Sequence, residues 1–239
     1  MRIRLYTENK LSTGENLELD KGQANYLGNV LRCHVGDELF VFNGECGEFR
    51  AVYKDKFSIE VNEQTRPTTH GPRLTLLFAP VKFGKIDYLV EKATELGVTS
   101  LQPVHTRFTV VGRINYERMK ANCVEAAEQT GRVTVPEVNE IVALDKLLDG
   151  WDVMQKIIFC DESLSGKPIA QALAELPRSD FGYAVLIGPE GGFSKDETAM
   201  LRTKPFVVPV TMGNRILRAE TAAVAALAVF QASGLGDWD

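Results

Sequence analysis

The sequence has 239 residues, of which 44% are hydrophobic, enough for a packed core in one large domain or two modest ones. No run comes near the about 18 apolar residues of a membrane span, and the opening MRIRLYTENK lacks the apolar stretch of a signal peptide, so a cytoplasmic location is expected. A net charge of −5 by itself argues against nucleic acid as a partner, while four cysteines without CxxC spacing, and His34, His70 and His105 at no ligand spacing, argue against a disulfide framework or a metal site.

Up to about residue 72, short strand-like runs are broken by turn residues: RIRLY, ELFVFNG, GEFRAVY and FSIEVNE, with Asn43-Gly44 as a hairpin signal. They predict a small β-barrel or sandwich over residues 1–72. A short helix is expected over QANYLGNVLR, where Tyr26, Leu27, Val30 and Leu31 fall at helical spacing. The polar stretch QTRPTTHGPR (64–73) reads as the linker. From Leu74 the pattern alternates. The strand LTLLFAP precedes the helix FGKIDYLVEKATELGV, closed by Gly97; the strand SLQPV precedes NYERMKANCVEAAEQTGR, closed by Gly131. There follow KIIFC, PIAQALAEL, YAVLI, a helix opened by the capping box of Ser194 and Glu197, FVVPV, and TAAVAALAVFQA. This alternation predicts an α/β domain over residues 73–239, with a mainly parallel sheet covered on both faces.

In an open parallel sheet, ligands bind beyond the carboxyl ends of strands. Two loops there have unusual chemistry: IGPEGG after YAVLI, and MGNRILRAET after FVVPV. Neither fits GxGxxG and there is no GK[ST], so a dinucleotide or P-loop site is not signalled. Glu190 would repel a phosphate but suits a neutral or cationic ligand. A glycine-lined slot between the loops would hold a flat adenine and ribose through backbone groups, and a positive sulfonium is compatible with an acidic surround. S-adenosylmethionine meets those requirements better than ATP or NAD. Charge along the chain is uneven: 9 Lys and Arg against 11 Asp and Glu in residues 1–72, 9 against 6 in 73–135, and 9 against 15 in 136–239. A local basic face on an acidic protein can still bind phosphates, and Arg107, Arg113, Arg118, Lys120 and Arg132 concentrate in the middle segment.

LIGPEGGFSKDE followed by MGNRILRAETAAVAAL closely resembles the two C-terminal motifs of the small-subunit ribosomal RNA methyltransferase E family, SPOUT-superfamily enzymes that methylate N3 of a uridine. GKIDYLVEKATELGV, AAEQTGR with VPEV, and NYLGNVLR with VGDEL extend the resemblance in order over nearly the whole chain. Tyr26 stands where His is common, Met212 where Leu is usual and Ala219 where Thr is frequent, the last removing a hydroxyl beside Arg218. The resemblance implies a PUA-like β-barrel that grips RNA over residues 1–72, a knotted SPOUT methyltransferase domain over 73–239, and a homodimer acting on small-subunit ribosomal RNA, free or assembled.

It also implies site residues. Leu186, Ile187, Gly188, Pro189, Glu190 and Gly191 from the first motif, and Met212, Gly213, Ile216 and Leu217 from the second, would hold S-adenosylmethionine. Deprotonation of uridine N3 spreads charge over the flanking carbonyl oxygens, which a guanidinium suits, so Arg218 and Arg132 are the catalytic candidates, with Glu220 beside them. Glu190, Glu220, water or a phosphate oxygen stays open as proton acceptor. Arg32, Arg107, Arg113 and Arg132 would contact RNA phosphates. A competing expectation is an RNA-binding module with an inert second domain. Nucleotide-dependent and metal-dependent enzymes lack the spacing they need.

Overall fold

The computed structural model describes residues 2–69, 71–81, 85–110, 113–163 and 165–236. By its internal contacts the chain forms two compact units, Met1–His70 with Val124–Val135, and Gly71–Cys123 with Pro136–Asp239. The linear division expected at residue 72 left Val124–Val135 with the second domain. Within the first unit that segment is held by two arginines. Arg4 donates to the carbonyls of Ala127 (2.6 Å) and Arg132 (2.7 Å), and Arg66 to that of Gly131 (2.8 Å).

The first unit is built on a five-stranded sheet of β1 (Arg4–Tyr6), β2 (Asn16–Glu18), β3 (Glu38–Asn43), β4 (Gly47–Asp55) and β5 (Ser58–Arg66), in the order β1-β3-β4-β5-β2. Only the β1–β3 pair is parallel. Leu27, Leu39, Val41, Ala51, Ile59 and Val61 are at the centre of its core, the strand members at alternate positions as one covered sheet face requires. β2 went unpredicted because three residues give period-2 alternation too little to show. The β3–β4 hairpin forms, but not as a two-residue Asn-Gly turn. Asn43 accepts the N–H groups of Glu45 (3.1 Å) and Cys46 (2.6 Å), and Gly47 carries the positive φ of 89°. β5 runs to Arg66 and so takes the first part of the expected linker into the sheet. The short helix starts earlier than expected: Asp20 caps α1 (Lys21–Asn25) through a capping box with Gln23, and a π turn, Tyr26–Val30, follows.

In the second unit, β6 (Leu74–Phe78), β7 (Ser100–His105), β8 (Glu137–Val138), β9 (Val142–Ala143), β10 (Lys156–Cys160), β11 (Lys167–Pro168), β12 (Tyr183–Ile187) and β13 (Val207–Thr211) form a sheet ordered β11-β13-β10-β12-β6-β7-β8, with β9 also on β7. All these pairings are parallel. The helices are α2 (Lys85–Glu95), α3 (Tyr116–Thr130, of which the residues from Val124 on belong to the first unit), α4 (Leu144–Asp149), α5 (Ile169–Ala174), α6 (Lys195–Thr203) and α7 (Ala219–Phe230). One sheet face, with Leu77, Ile157, Phe159, Ala184 and Leu186, packs on Leu144 and Leu148 of α4 and Leu201 of α6. On the other face Tyr183 meets Phe230 of α7 edge-on at 5.4 Å. With both faces covered, these strands read as continuous apolar runs, which is why the sequence revealed them. α4 and the two-residue strands escaped that reading. Phe83 and Gly84, at the start of one expected helix, and His70, in the expected linker, lie outside the described residues. Among the described residues no helix is long and apolar enough to cross a membrane.

Candidate functional site

Three neighbouring strands of the second unit, β13, β10 and β12, end side by side, and a crevice opens beyond their carboxyl ends. Its enclosed volume is about 70 Å³. Ile187 ends β12, and Gly188, Pro189, Glu190 and Phe193 come from the loop after it; Met212, Arg215, Ile216 and Leu217 come from the loop after β13. Cys160, Asp161 and Glu162, at the end of β10, lie between them.

Seven of the ten residues assigned to the cofactor line this crevice: Ile187, Gly188, Pro189, Glu190, Met212, Ile216 and Leu217. Leu186 is fully buried beneath it, in the sheet core. Gly191 lines a neighbouring cleft. Gly213 borders neither; its φ of 108° is what asks for glycine, since a Cβ there would meet nothing within 4 Å. Gly188 and Gly192 are needed for close approach. A Cβ on Gly188 would come within 2.6 Å of the Phe193 ring, and one on Gly192 would overlap the Glu162 carboxyl.

The carboxylates set the electrostatics. Asp161, only 5% exposed, pairs with Arg202 and accepts the Ser163 N–H at 2.8 Å. Burial would push its carboxyl up, but Arg202 and Ser163 outweigh that and hold it below the ordinary carboxylate range. Glu162 is pushed up, by burial first and by Asp161 second. The thiol of Cys160, a half-buried residue, is pushed up to about 12 by burial, which disfavours the thiolate at neutral pH. With Asp161 paired to Arg202, Glu162 and Glu190 against Arg215 leave the crevice lining weakly acidic, which favours a cation. Sequence reasoning missed Asp161 and Glu162. The signal present, DES directly after an apolar strand, means something only once β10 is known to lie between β12 and β13.

The neighbouring cleft shares Glu190 with the crevice and is lined also by Lys85, Arg107, Phe108, Thr109, Val110, Gly191 and Arg218. Arg218 occupies the N-cap position of α7 without a side-chain cap bond. Glu220, in the first turn of α7, pairs with Lys85 at 3.2 Å, and its Oε2 is buried without a hydrogen-bond partner among the described residues. Burial raises the Glu220 carboxyl, but its own backbone N–H, Lys85 and Arg218 prevail and hold it low, so it is ionised at neutral pH and weakly basic. Arg113 is exposed just before α3. Arg32 and Arg132 belong to the first unit. Arg32 is exposed with φ 57°, an uncommon conformation for a residue with a side chain, and Arg132 donates to Thr134 Oγ1 at 3.2 Å. Among the described residues no group of three or more His, Cys, Asp or Glu could hold a metal ion.

Comparison with known proteins bears on this arrangement. Residues 69–231 match the RNA methyltransferase domain family, and residues 19–62 match the RNA methyltransferase PUA domain family. The ribosomal RNA small subunit methyltransferase E of Rickettsia conorii is 32% identical, with 94% of this chain and 93% of that protein covered. The crystal structure of the ribosomal RNA small subunit methyltransferase E of Neisseria gonorrhoeae, bound to S-adenosyl methionine, superposes with a TM-score of 0.85 at 28% identity, covering 97% of this chain and 98% of that one. A putative methyltransferase of Legionella pneumophila, in complex with the same molecule, gives a TM-score of 0.85 at 28% identity, covering 98% of both chains.

Proposed function

Because the chain belongs to the ribosomal RNA small subunit methyltransferase E family, we propose that it transfers the methyl group of S-adenosylmethionine to N3 of a uridine in small-subunit ribosomal RNA. The observation that carries this reading is the acidic, glycine-walled crevice at the joined ends of β13, β10 and β12. The residues fit the donor on two counts. A Cβ on Gly188 or Gly192 would displace Phe193 or Glu162, both in the crevice lining, and Glu162 and Glu190 in that lining suit a positive sulfonium. Bound there, S-adenosylmethionine supplies an electrophilic methyl on a positive sulfur.

Ile187, Met212, Ile216 and Leu217 would hold the adenine by apolar contact, Gly188 and Pro189 would offer the turn's backbone to the ribose, and Leu186 would support them from the sheet core. Gly191, against Phe108, and Gly213, in its left-handed backbone conformation, complete the two loops that would hold the donor. On the acceptor side, the N3 proton leaves and negative charge builds on the flanking carbonyl oxygens, where the Arg218 guanidinium is available. Arg132 is the second guanidinium in this role. Glu220, held ionised, pairs with Lys85 and is a poor proton acceptor, which leaves Glu190, water or a phosphate oxygen to take the proton. Arg32, Arg107, Arg113 and Arg132 contact phosphates, which position the RNA without reading its sequence. A PUA-like unit over 1–72, a knotted catalytic domain over 73–239, a homodimer and a cytoplasmic location complete the proposal.

Two measurements test it. Calorimetry with S-adenosylmethionine is expected to give one saturable site, and mass spectrometry of small-subunit rRNA treated with the protein is expected to give one added methyl on uridine N3. RNA binding without donor binding would leave a binding module and end the enzymatic reading; a methyl on another atom would end the N3 assignment.

A further inference from the structure

The loop between β7 and α3 holds an aromatic ring in water. Phe108 is 45% exposed, yet its backbone surroundings are pinned. The Thr106 N–H donates to Thr109 Oγ1 (2.9 Å), the Thr109 N–H to the Thr106 carbonyl (3.2 Å), and the Arg107 N–H to Glu197 Oε1 (2.8 Å), while Glu197 also closes the capping box of α6. A floppy loop would let the ring find apolar cover; this one does not. Gly191 approaches it so closely that an added Cβ would stand 3.2 Å from Phe108 Cβ. Lys85, Arg107 and Arg218 line the same cleft with Glu190, Lys85 being paired with Glu220 at 3.2 Å, and Glu190 also lines the donor crevice.

An exposed π-face beside several cations matches one kind of ligand, a nucleotide whose base is out of its stack and whose phosphate carries the charge. A base paired in a duplex cannot offer its face, so single-stranded RNA is the class the cleft fits. Resting on the methyl-transfer reading, we propose that Phe108 is the stacking platform for the acceptor nucleotide, with Arg107 and Lys85 on its phosphates and Arg218 toward the base. The shared wall at Glu190 sets the acceptor beside the donor. Neither Phe108 nor Lys85 is signalled by the sequence, because a single aromatic in a loop looks like any other.

The test uses the full chain, with F108A, F108L and F108Y, and small-subunit rRNA as acceptor. F108A and F108L are expected to raise KM for RNA by about tenfold, to change kcat less, and to leave the donor Kd unaltered; F108Y keeps a ring and is expected to behave as the unaltered chain. In the unaltered chain, a single-stranded oligonucleotide carrying 5-iodouridine is expected to photo-cross-link to Phe108, a readout that no folding defect in a variant can mimic. An unchanged KM in F108A and F108L, or cross-links that map elsewhere, overturns the proposal. So does light scattering that shows F108A separating two copies of the chain while RNA affinity holds, since the ring would then serve a second copy. Should the unaltered chain transfer no methyl while Phe108 still cross-links and F108A still loses RNA affinity, the nucleotide cleft stands and the reaction reading alone falls.

Discussion

Gly188 and Gly213 sit in the two late loops for different physical reasons. The first leaves room for the Phe193 ring, which itself meets Phe159 edge-on at 5.1 Å; the second has open space around it and a φ of 108°. G188A is therefore expected to displace Phe193, narrow the crevice and weaken S-adenosylmethionine binding by about tenfold, an energy of roughly 1.4 kcal/mol that lies within the usual cost of overpacking. G213A adds no obstruction. It is expected to cost of order 1–3 kcal/mol in stability through its backbone, so calorimetry and thermal melting should separate the pair, and an equal loss of affinity in both would remove close approach as the cause. Arg218 carries a third prediction. It touches the cleft but not the crevice, so R218A should lower turnover by about 10²–10³-fold with little change in donor Kd, and undiminished single-turnover rates would take it out of the mechanism.

At the scale of elements, the first unit depends on a buried ion cluster. Arg4 and Glu48 are 8% and 2% exposed and pair at 2.7 Å, and Arg66 reaches the same carboxylate at 2.7 Å. Through Arg4 and Arg66, β1 and β5 supply donors to carbonyls of Val124–Val135 that no helical turn satisfies. Burial would push Glu48 up, but Arg66 and Arg4 prevail and hold it low. A carboxyl lowered on folding stabilises above its unfolded value, about pH 4.3, and that contribution disappears as pH falls through the folded value. E48Q should accordingly lose roughly 3–5 kcal/mol near neutrality, because Arg4 is left buried without its counter-charge. It should also lose less than the unaltered chain on acidification below about pH 5. Glu128, raised chiefly by burial, works in the opposite sense, so the readout is the difference between the two proteins in denaturant titrations; parallel acid limbs would show that Glu48 is not the titrating group.

For the whole molecule, a net charge of −5 makes RNA binding a matter of where cations stand. Three of them, Lys85, Arg107 and Arg218, line the acceptor cleft. If Lys85 and Arg107 each neutralise one phosphate, the logarithm of the affinity for single-stranded RNA should fall against the logarithm of salt concentration with a slope of about −1.4, and R107A should reduce that slope by about 0.7. A flat salt dependence would leave the proposed phosphate contacts without support. The same measurement bears on how charge is read from composition, since a total of −5 conceals the basic middle segment that contains Arg107.

Much of this protein was determined by stretches short enough to act locally. IGPEGG and MGNRILRAET mark the family, the Ser194–Glu197 capping box opens α6, and apolar runs mark the strands buried on both faces. Each depends on a few neighbouring residues, where periodicity, capping and turn chemistry operate directly. Which strands end together was decided elsewhere. The order β13-β10-β12 brings Asp161 and Glu162 between two motifs distant in sequence, and a pinned loop brings Phe108 onto Gly191. Strand order follows from the summed burial of many residues far apart along the chain, and no single segment carries a signal for that sum.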